Sequence, residues 1–393
     1  MLFLLILTIG FVVWGILELQ AHRRNVNKIP IRIHVNGTRG KSSVTRLIAG
    51  GLRASGMKVI AKTTGTKPRF IVSNTEEFPI KRLGKPNIGE DKKIFRQAVR
   101  YKPDAIVLEC MALVPEYQWT SAHRIVKSNI GVITNARADH LDVMGPTVLD
   151  VAKNLCNTIP KNGKFFTADQ THLDIFRKRA EKQKTEVFLA DPNSITDEDM
   201  RGFSYVEHKE NVALAVLVCN HLGIDKETAL KGMYQANPDP GVMRIWTIKD
   251  QNKEMRLVNT LAANDPNSIF LLWERVKHLA DERIVLVNCR DDRADRSLQL
   301  GELTAQKIPA DWYVATGFLT MPYIKKAQML GVPKEKIINL EGKTPDQIYA
   351  RVLNLVKKSA LIFATGNIVG FGETVINYFA QKGGEIDYTH ETK

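Results

Sequence analysis

The chain is poor in cysteine, with 4 thiols among 393 residues. Cys110, Cys156, Cys219 and Cys289 lie far apart, and no two of them have the paired spacing of metal ligands. The sequence therefore indicates neither a zinc site nor a disulfide framework, and we predict that the thiols are buried in hydrophobic cores. No internal repeat or low-complexity segment is visible, and the length is sufficient for two domains.

Acidic residues are fewer than basic ones. The chain has 42 Asp and Glu and 56 Lys and Arg, which gives a formal net charge of +14. This imbalance indicates an acidic partner, which is an anionic lipid, an acidic small molecule, an acidic polymer or a nucleic acid. Aromatic residues make up only 7% of the chain and do not alternate with basic ones, so we expect no nucleic acid partner. A generic basic surface on a membrane-bound protein is the alternative.

Charge is absent from the first 17 residues, Met1–Leu17, which are mostly large and apolar. A cleaved signal peptide would carry positive charge before such a run, whereas here the basic segment 22–28 follows it. We predict a transmembrane signal anchor over residues 1–20, with the N-terminus outside and the catalytic body on the cytoplasmic side of the cell membrane. A buried helix of a soluble domain is the alternative, but the run is not amphipathic.

A strand-like run, Ile31–Val35, leads into the sequence Asn-Gly-Thr-Arg-Gly-Lys-Ser-Ser. A strand, a glycine-rich turn and a Lys-Ser pair opening a helix are typical of a phosphate-binding loop, in which Lys41 reaches the β- and γ-phosphates and the hydroxyl of Ser42 binds Mg²⁺. The general pattern begins with a glycine where this chain has Val35, so the match is to a shorter variant. We predict ATP binding by Gly37, Thr38, Arg39, Gly40, Lys41, Ser42 and Ser43.

Apolar strand-like runs alternate with helical stretches along the rest of the chain. Several runs are apolar throughout, which is typical of parallel strands covered on both faces. We predict a doubly wound α/β ATP-binding domain over residues 21–245 and a second, Rossmann-like α/β domain over 246–393, with a Pro/Gly turn cluster at 237–241 between them. The predicted strands are Ile31–Val35, Lys58–Lys62, Ala105–Glu109, Ile130–Thr134, Lys164–Ala168, Glu186–Leu189, Arg256–Val258, Ile284–Asn288, Trp312–Thr316, Ile337–Leu340 and Leu361–Ala364.

Two of these strands deliver side chains that suit divalent cations. Glu109 ends one strand at the carboxyl edge, where α/β sheets bind their ligands, and is a natural partner for Mg²⁺. His140 follows another strand within the segment 134–142 and is a candidate ligand for a second cation, Mg²⁺ or Mn²⁺. Two cations would neutralise a γ-phosphoryl group and a carboxylate together. The alternative for Glu109 is an ordinary glutamate at a strand end.

The order of the phosphate loop, Glu109 and the Thr-Asn-x-x-x-Asp-His-Leu-Asp segment resembles the Mur ligase superfamily over roughly residues 30–390. That family includes the peptidoglycan amino-acid ligases and folylpolyglutamate synthase. The resemblance implies catalytic roles for Lys41, His140 and Lys153, the last being a metal-binding lysine that is often carbamylated. It also implies nucleotide contacts from Asn211, Arg244, Asn264 and Asp265.

The chain departs from the family pattern at three positions. Arg39 replaces the usual Asn of the phosphate loop, Asn264 stands where His is usual, and Leu261 stands where an Asp contacts the ribose. Asn259 or Asp265 would then make the ribose contact. We also expect no substrate linked to UDP, because the phosphate loop begins too early for a preceding nucleotide-sugar domain.

An anchor followed by two ligase domains looks like the ligase subunits of bacterial poly-γ-glutamate synthases. That likeness implies ATP-dependent formation of γ-linked poly-glutamate through a γ-glutamyl phosphate, with release of ADP and phosphate. It further implies small integral-membrane partner subunits. Assembly of the ligase into a homo-oligomer is a further expectation of the same likeness. The alternatives are another Mur-type ligase, similar to folylpolyglutamate synthase, and a membrane-anchored ATPase or switch that forms no bond.

Further cations are candidates for holding an acidic substrate. Arg290, Arg293 and Arg296 alternate with aspartates and would clamp carboxylates, or else form a salt-bridged surface. Lys67 and Arg69 lie in the loop after the second predicted strand and are weaker candidates. Together with Lys41 and Arg244, such charges would bring two anions into contact during the reaction.

Overall fold

The structure is a computed structural model, and it describes residues 1–65, 68–82, 84, 86–203, 205, 207–238, 243–261, 263, 266–368 and 370–385. The chain divides into two units, of which the first comprises residues 1–203 and 207–239 and the second residues 204–206 and 240–393. Each unit has its own sheet and its own hydrophobic cores.

The first unit alternates strands and helices as the sequence predicts. Its strands are β1 Ile31–Asn36, β2 Val59–Lys62, β3 Arg69–Ile71, β4 Glu77–Pro79, β5 Ala105–Glu109, β6 Ile130–Ile133, β7 Lys164–Thr167 and β8 Glu186–Leu189. Its helices are α1 Leu2–Asn27, α2 Lys41–Ala54, α3 Glu90–Ala98, α4 Pro115–Thr120, α5 Leu141–Met144, α6 Val148–Leu155, α7 Leu173–Lys182, α8 Asp197–Arg201, α9 Lys209–His221 and α10 Lys226–Tyr234. A π-helical turn, Ser121–Val126, continues α4.

These strands form one eight-stranded sheet in the order β4-β3-β2-β5-β1-β6-β7-β8. The strands from β2 to β8 in this order are parallel, whereas β3 and β4 extend the sheet as an antiparallel hairpin. β1 lies at the centre, between β5 and β6. The loops that follow β1, β5 and β6 therefore meet at one carboxyl edge, which is where open α/β sheets bind ligands.

The second unit contains a seven-stranded sheet in the order β13-β12-β11-β14-β10-β9-β15. Its strands are β9 Arg244–Asp250, β10 Lys253–Asn259, β11 Glu282–Cys289, β12 Trp312–Gly317, β13 Ile337–Glu341, β14 Ser359–Gly366 and β15 Gly383–Glu385. Its helices are α11 Pro266–Val276, α12 Ala294–Lys307, α13 Met321–Met329, α14 Pro345–Leu355 and α15 Phe371–Ala380. β9 and β15 are antiparallel to their neighbours, and the others run parallel.

Helices cover both faces of this second sheet, and successive residues of its central strands enter two different cores. In β11, Val285 and Val287 belong to one core, while Ile284 and Leu286 belong to the other. Such alternation in a strand that is apolar throughout is the pattern of a parallel sheet buried on both sides. The predicted α/β class is therefore confirmed for both units.

All the predicted strands are present, with bounds that shift by a few residues at most. The short strands β3 and β4 and the edge strands β9 and β15 were not predicted. β9 includes position 245, at which the sequence analysis divides the two domains, and the whole of β9 belongs to the second sheet. The boundary of the structure therefore precedes Arg244.

The cysteines are free and buried, as predicted. Burial raises the pKa of the Cys110, Cys156 and Cys219 thiols to about 12 and that of Cys289 to about 11. These thiols are therefore protonated at neutral pH and unreactive as nucleophiles.

Candidate active site

The phosphate loop connects β1 to α2 and contains two glycines that no other residue can replace without strain. Gly37 has a φ angle of 130° and Gly40 has one of 80°, which are values that favour glycine. A Cβ atom on Gly37 would lie 2.0 Å from Oγ1 of Thr134, and one on Gly40 would lie 2.6 Å from Oδ1 of Asn211. The loop backbone is thus tightly packed against Thr134 and Asn211.

Lys41 is the first residue of α2, and its ammonium group folds back over the loop. Its Nζ donates hydrogen bonds to the carbonyl oxygens of Gly37 at 2.7 Å and Thr38 at 3.3 Å. The first turn of α2 contains no acidic residue. The ammonium group and the positive end of the helix dipole therefore act at the same place, which is an anion-binding arrangement.

Glu109, the last residue of β5, is buried and lies directly beside the start of α2. Its Oε2 accepts a hydrogen bond of 2.7 Å from Oγ of Ser42 and another of 2.7 Å from the backbone N–H of Thr64. Only 3% of Glu109 is exposed to solvent. A hydroxyl and a carboxylate in contact supply the oxygen ligands that Mg²⁺ prefers.

The segment after β6 holds the phosphate loop in place through hydrogen bonds of Thr134 and Asn135. Oδ1 of Asn135 accepts hydrogen bonds from Oγ1 of Thr38 at 2.6 Å and from the backbone N–H of Arg39 at 3.1 Å, and its Nδ2 donates to the carbonyl of Arg39 at 3.1 Å. Oγ1 of Thr134 donates to that same carbonyl at 2.6 Å. This segment was predicted only as a metal motif, and its role in fixing the loop was not predicted.

A second support lies one strand further along the sheet. Asp169, which follows β7, accepts a hydrogen bond of 2.7 Å from the backbone N–H of Ala136 through Oδ2. Nδ1 of His172 lies 3.0 Å from the same oxygen. This pair was not predicted either, although the position of Asp169 directly after a predicted strand was an available signal.

The side chain of Asn211 lies beside the phosphate loop, because a Cβ atom on Gly40 would lie 2.6 Å from its Oδ1. Its Nδ2 donates a hydrogen bond of 2.8 Å to Oε1 of Glu207, and both side chains are buried. Arg39 turns toward the segment after β6, where its Nη2 lies 3.5 Å from Oδ1 of Asp139.

His140 and Lys153, the candidate ligands of a second cation, are more exposed. His140 has a left-handed φ of 46°, and its Nε2 lies 3.9 Å from Oδ1 of Asp139. Nζ of Lys153 lies 3.6 Å from Oδ1 of Asp150, one turn earlier in α6. The carboxylates that lie near these two side chains thus belong to their own segments.

Of the two substrate candidates after β2, the structure describes Arg69, which begins β3. Nε of Arg69 lies 3.5 Å from Oε1 of Glu77, and Glu77 also accepts a hydrogen bond of 2.7 Å from the buried Arg46. Arg69 therefore takes part in a structural ion-pair cluster. Lys67 lies outside the described residues.

In the second unit, the three candidate arginines have different surroundings. Nη2 of Arg290 donates to Oδ2 of Asp292 at 2.8 Å. Nη2 of Arg296 donates to the carbonyls of Ala263 at 2.6 Å and Gly366 at 2.8 Å, so this guanidinium ties two loops together. Arg293 is exposed at the start of α12 and lines a cavity of about 480 Å³ with residues 291–296 and 299.

Of the remaining nucleotide candidates in the second unit, the structure describes Arg244. Arg244 begins β9 and is directly opposite Asn259 of β10. Oδ1 of Asn259 accepts a hydrogen bond of 3.1 Å from the backbone N–H of Leu261. Asn264 and Asp265 lie outside the residues that the structure describes.

Comparison with known proteins identifies the family. Residues 35–237 match the model of the Mur ligase middle domain, and residues 245–382 match that of the poly-gamma-glutamate synthase CapB C-terminal domain. The chain belongs to the Mur ligase family. It is 40% identical to the capsule biosynthesis protein CapB of Bacillus anthracis over 96% of this chain and 82% of that protein. It is 42% identical to the PGA synthase CapB of Bacillus subtilis (strain 168), over 92% of this chain and 93% of that one.

Solved Mur ligase structures share the fold of this member of the family. A bifunctional folylpolyglutamate synthase/dihydrofolate synthase from Yersinia pestis, complexed with AMPPNP and a Mn ion, has a TM-score of 0.64 at 14% identity and is covered over 92% of its length by 93% of this chain. MurF from Acinetobacter baumannii has a TM-score of 0.64 at 15% identity, with 93% of this chain and 79% of that chain covered. At such identities the likeness concerns the fold alone.

Proposed function

We propose that this chain is an ATP-dependent amide ligase that joins glutamate units through their γ-carboxyl groups and releases ADP and phosphate. One observation carries the proposal. A chain that is 40–42% identical to two CapB proteins over more than nine-tenths of its length has a phosphate loop with Lys41 at the start of α2 and Ser42 bonded to a buried carboxylate.

We assign the nucleotide site to the phosphate loop, residues 37–43, with Asn211 beside it. In this assignment the ammonium of Lys41 leaves the loop carbonyls to contact the β- and γ-phosphates. Arg244, Asn264 and Asp265 are proposed nucleotide contacts by family resemblance. We propose an anchor over residues 1–20, an ATP-binding domain that extends from residue 21 to the segment before β9, and a C-terminal ligase domain that includes β9 and the rest of the chain.

The chemistry of Ser42 and Glu109 fits a divalent cation. Both present oxygen atoms at the carboxyl edge, and they lie within 2.7 Å of each other. Among the described residues, no group of three or more His, Cys, Asp or Glu side chains is arranged to hold a metal ion. A cation here would thus depend on this pair and on phosphate oxygens, which is a common way of binding Mg²⁺. His140 and Lys153 remain proposed ligands for a second cation.

The proposed reaction has two steps. A γ-carboxylate oxygen attacks the γ-phosphorus of ATP, so that the bond to the β,γ-bridging oxygen breaks and ADP leaves. The amine of the next glutamate then attacks the carbonyl carbon of the acyl phosphate, loses a proton, and expels phosphate. Two anions meet in the first step, so positive charge at the loop is the main requirement. Lys41 and the dipole of α2 supply that charge, and a bound divalent cation would neutralise phosphate oxygens further.

We propose that α1 anchors the enzyme in the cell membrane with its catalytic body in the cytoplasm. The helix Leu2–Asn27 is long and apolar enough to cross a bilayer, with a mean hydropathy of 2.5 in its apolar window, although a signal sequence has the same properties. The positive charge after the apolar run supports this orientation. Small integral-membrane subunits and a homo-oligomer are proposed partners on the family resemblance alone.

The first experiment measures ATP turnover by membranes that contain this chain, with and without glutamate and a divalent cation, together with γ-linked polymer. We expect glutamate-dependent release of ADP and phosphate with polymer. Turnover on a folate-like acceptor, but not on glutamate, would favour another Mur-type ligase. If ATP turnover needs no amino acid, and no amide product forms even when membrane subunits are supplied, the chain is an ATPase switch and not a ligase.

Lys41→Met in the same membranes tests the assignment of the phosphate loop. We expect the variant to fold and to lose glutamate-dependent turnover, because the loop would lack its ammonium group. Lys58→Met is the matched control, since Lys58 is an exposed lysine that precedes β2 at the opposite edge of the sheet. Full activity of Lys41→Met would contradict the assignment.

A further inference from the structure

Helix α1 consists of two halves with different surroundings. The side chains of the first half are exposed and apolar, with 71% of Phe3 and 65% of Trp14 accessible to solvent. In the second half, His22 and Val26 are buried in the first unit. The helix is continuous from Leu2 to Asn27 and contains no proline, so the packed half fixes the direction in which the apolar half projects.

The packed half runs alongside α3 toward the amino edge of the sheet. Asn27 ends α1, and β1 begins shortly afterwards at Ile31. Val26 packs in the same core as Phe95 of α3, and Nε2 of His22 contacts the carbonyl oxygen of Ile125 at 2.8 Å. The C-terminal end of α1 therefore lies at the edge where the parallel strands begin.

Glu18 lies at the level of the opposite edge. Its Oε1 is 3.5 Å from Nζ of Lys92 in the first turn of α3. The preceding residue, Asp91, accepts a hydrogen bond of 2.8 Å from Nζ of Lys62. Lys62 is the last residue of β2 and pairs with Leu108, the neighbour of Glu109 in β5. Glu18 is therefore level with the carboxyl edge, and residues 2–17 project beyond it.

The geometry points to a first unit whose carboxyl edge, with the phosphate loop and Glu109, faces the lipid bilayer. This inference rests on the proposed membrane anchoring of α1. The 16 residues from Leu2 to Leu17 extend about 24 Å at about 1.5 Å per residue, which accounts for most of a hydrocarbon core of about 30 Å. The near surface of the bilayer then lies close to Glu18, and thus close to the loops that hold the site.

Charge alone does not decide this orientation. Exposed lysines precede the strands at the amino edge, at Lys58 and Lys161, and others lie near the carboxyl edge, at Lys81 and Lys93. Anionic headgroups would attract either set. The direction of α1 is the feature that distinguishes the two edges.

This orientation determines where ATP enters the first unit and where the product leaves it. ATP would reach the phosphate loop through the space between the protein and the bilayer, and the new amide bond would form on that same side. A growing acidic chain would therefore leave the first unit next to the membrane and away from the amino edge.

Labelling of single introduced cysteines tests the orientation in the full-length protein. The native cysteines are buried, so an exposed cysteine can be labelled selectively with a fluorophore. Lys81→Cys and Lys93→Cys report on the carboxyl edge, while Lys58→Cys and Lys161→Cys report on the amino edge. Each substitution removes one positive charge, so the four variants are matched.

The labelled proteins are reconstituted into vesicles of phosphatidylethanolamine and phosphatidylglycerol that contain a lipid with a spin label on its headgroup. The two edges are separated by about 15 Å along the strands, so we expect quenching to be at least about twofold stronger at positions 81 and 93. Equal quenching, or stronger quenching at 58 and 161, would overturn the inference while the anchoring stands. Failure of the protein to float with the vesicles would instead overturn the anchoring, and the inference with it.

Discussion

Oγ of Ser42 donates a hydrogen bond of 2.7 Å to Oε2 of Glu109, which joins the first turn of α2 to the end of β5. The same carboxylate oxygen accepts a hydrogen bond from the backbone N–H of Thr64, which lies in the loop after β2. Three segments of the carboxyl edge thus meet at one buried charge. This carboxylate holds the hydroxyl of the phosphate loop in place, and we propose that it is also a ligand for a divalent cation.

Replacing Glu109 with Gln tests this dual role. The amide has the same size and still accepts the two hydrogen bonds, but it lacks the negative charge that binds a cation. We expect glutamate-dependent ATP turnover to fall by at least about 100-fold, with an unchanged midpoint of thermal unfolding. Turnover is measured over a range of Mg²⁺ and Mn²⁺ concentrations. Glu116→Gln, an exposed carboxylate in α4, is the control, and wild-type turnover in Glu109→Gln would refute the role.

Asn135→Ala tests the support beneath the phosphate loop. The variant loses three hydrogen bonds to Thr38 and Arg39, so the loop should become mobile. At about 1 kcal/mol for each lost bond, the affinity for ATP should fall by up to about 150-fold. Nucleotide binding is measured by calorimetry.

Asn129→Ala provides a matched control for this experiment. The side chain of Asn129 also accepts a hydrogen bond from a backbone N–H, that of Arg32, and donates one to the carbonyl of Pro30. Unlike Asn135, it lies at the amino edge of the sheet. We expect a similar loss of stability without a loss of nucleotide affinity. If both variants bind ATP equally well, Asn135 has no role in positioning the loop.

The contrast between Lys41 and Asn135 illustrates how much of the site could be predicted from the sequence. The strand, turn and helix around Lys41 are local, and their residue types alone indicate a phosphate loop. The bond between Asn135 and Thr38 joins residues that are 97 positions apart, and no local pattern encodes that contact. The hydrogen bond from the backbone N–H of Ala136 to Asp169 likewise joins residues that are 33 positions apart, although the position of Asp169 directly after a predicted strand was a local signal.

The fold shows the same division between local and distant information. Long apolar runs such as β11 were predicted because their composition is sufficient to identify them. The hairpin strands β3 and β4 have only 3 residues each, which is too short for a periodic pattern to emerge. Arg296 was proposed as a substrate clamp from its charge, and only the folded chain brings the carbonyls of Ala263 and Gly366 to it.

Gly40→Ala tests whether the contact with Asn211 limits the phosphate loop. Alanine at a φ of 80° costs about 1–2 kcal/mol, and its Cβ would also lie 2.6 Å from Oδ1 of Asn211. We expect the loop to shift and the kcat/KM for ATP to fall by about 100-fold, as is typical when reacting groups are displaced by about 1 Å.

Gly56→Ala separates the two causes of this effect. Gly56 has a φ of 88° and no atom within 4 Å of the Cβ position, so its substitution adds backbone strain alone. We expect reduced stability with a normal kcat/KM. Equal loss of kcat/KM in both variants would show that strain, and not the contact with Asn211, accounts for the effect.

His34 makes the stability of the first unit sensitive to acid. It is fully buried in β1, and in the described part of the chain neither ring nitrogen has a hydrogen-bond partner. Burial lowers the pKa of His34 from 6.5 to about 4, while the nearby Asp91 carboxylate raises this pKa and Lys62 and His123 lower it. Between these two values the unfolded chain binds a proton that the folded chain does not, so the free energy of unfolding decreases as the pH falls.

His34→Met should remove this acid sensitivity. Methionine fills a similar volume, binds no proton and leaves no buried polar group without a partner. We expect the variant to match or exceed the wild-type stability at pH 7, and to lose less stability on acidification from pH 6.5 to 4, by a margin on the order of 3 kcal/mol. Urea unfolding across this range measures the difference. His221→Gln, at an exposed histidine of the same unit, should keep the wild-type slope, and an equal slope in His34→Met would show that His34 is not the source of the acid sensitivity.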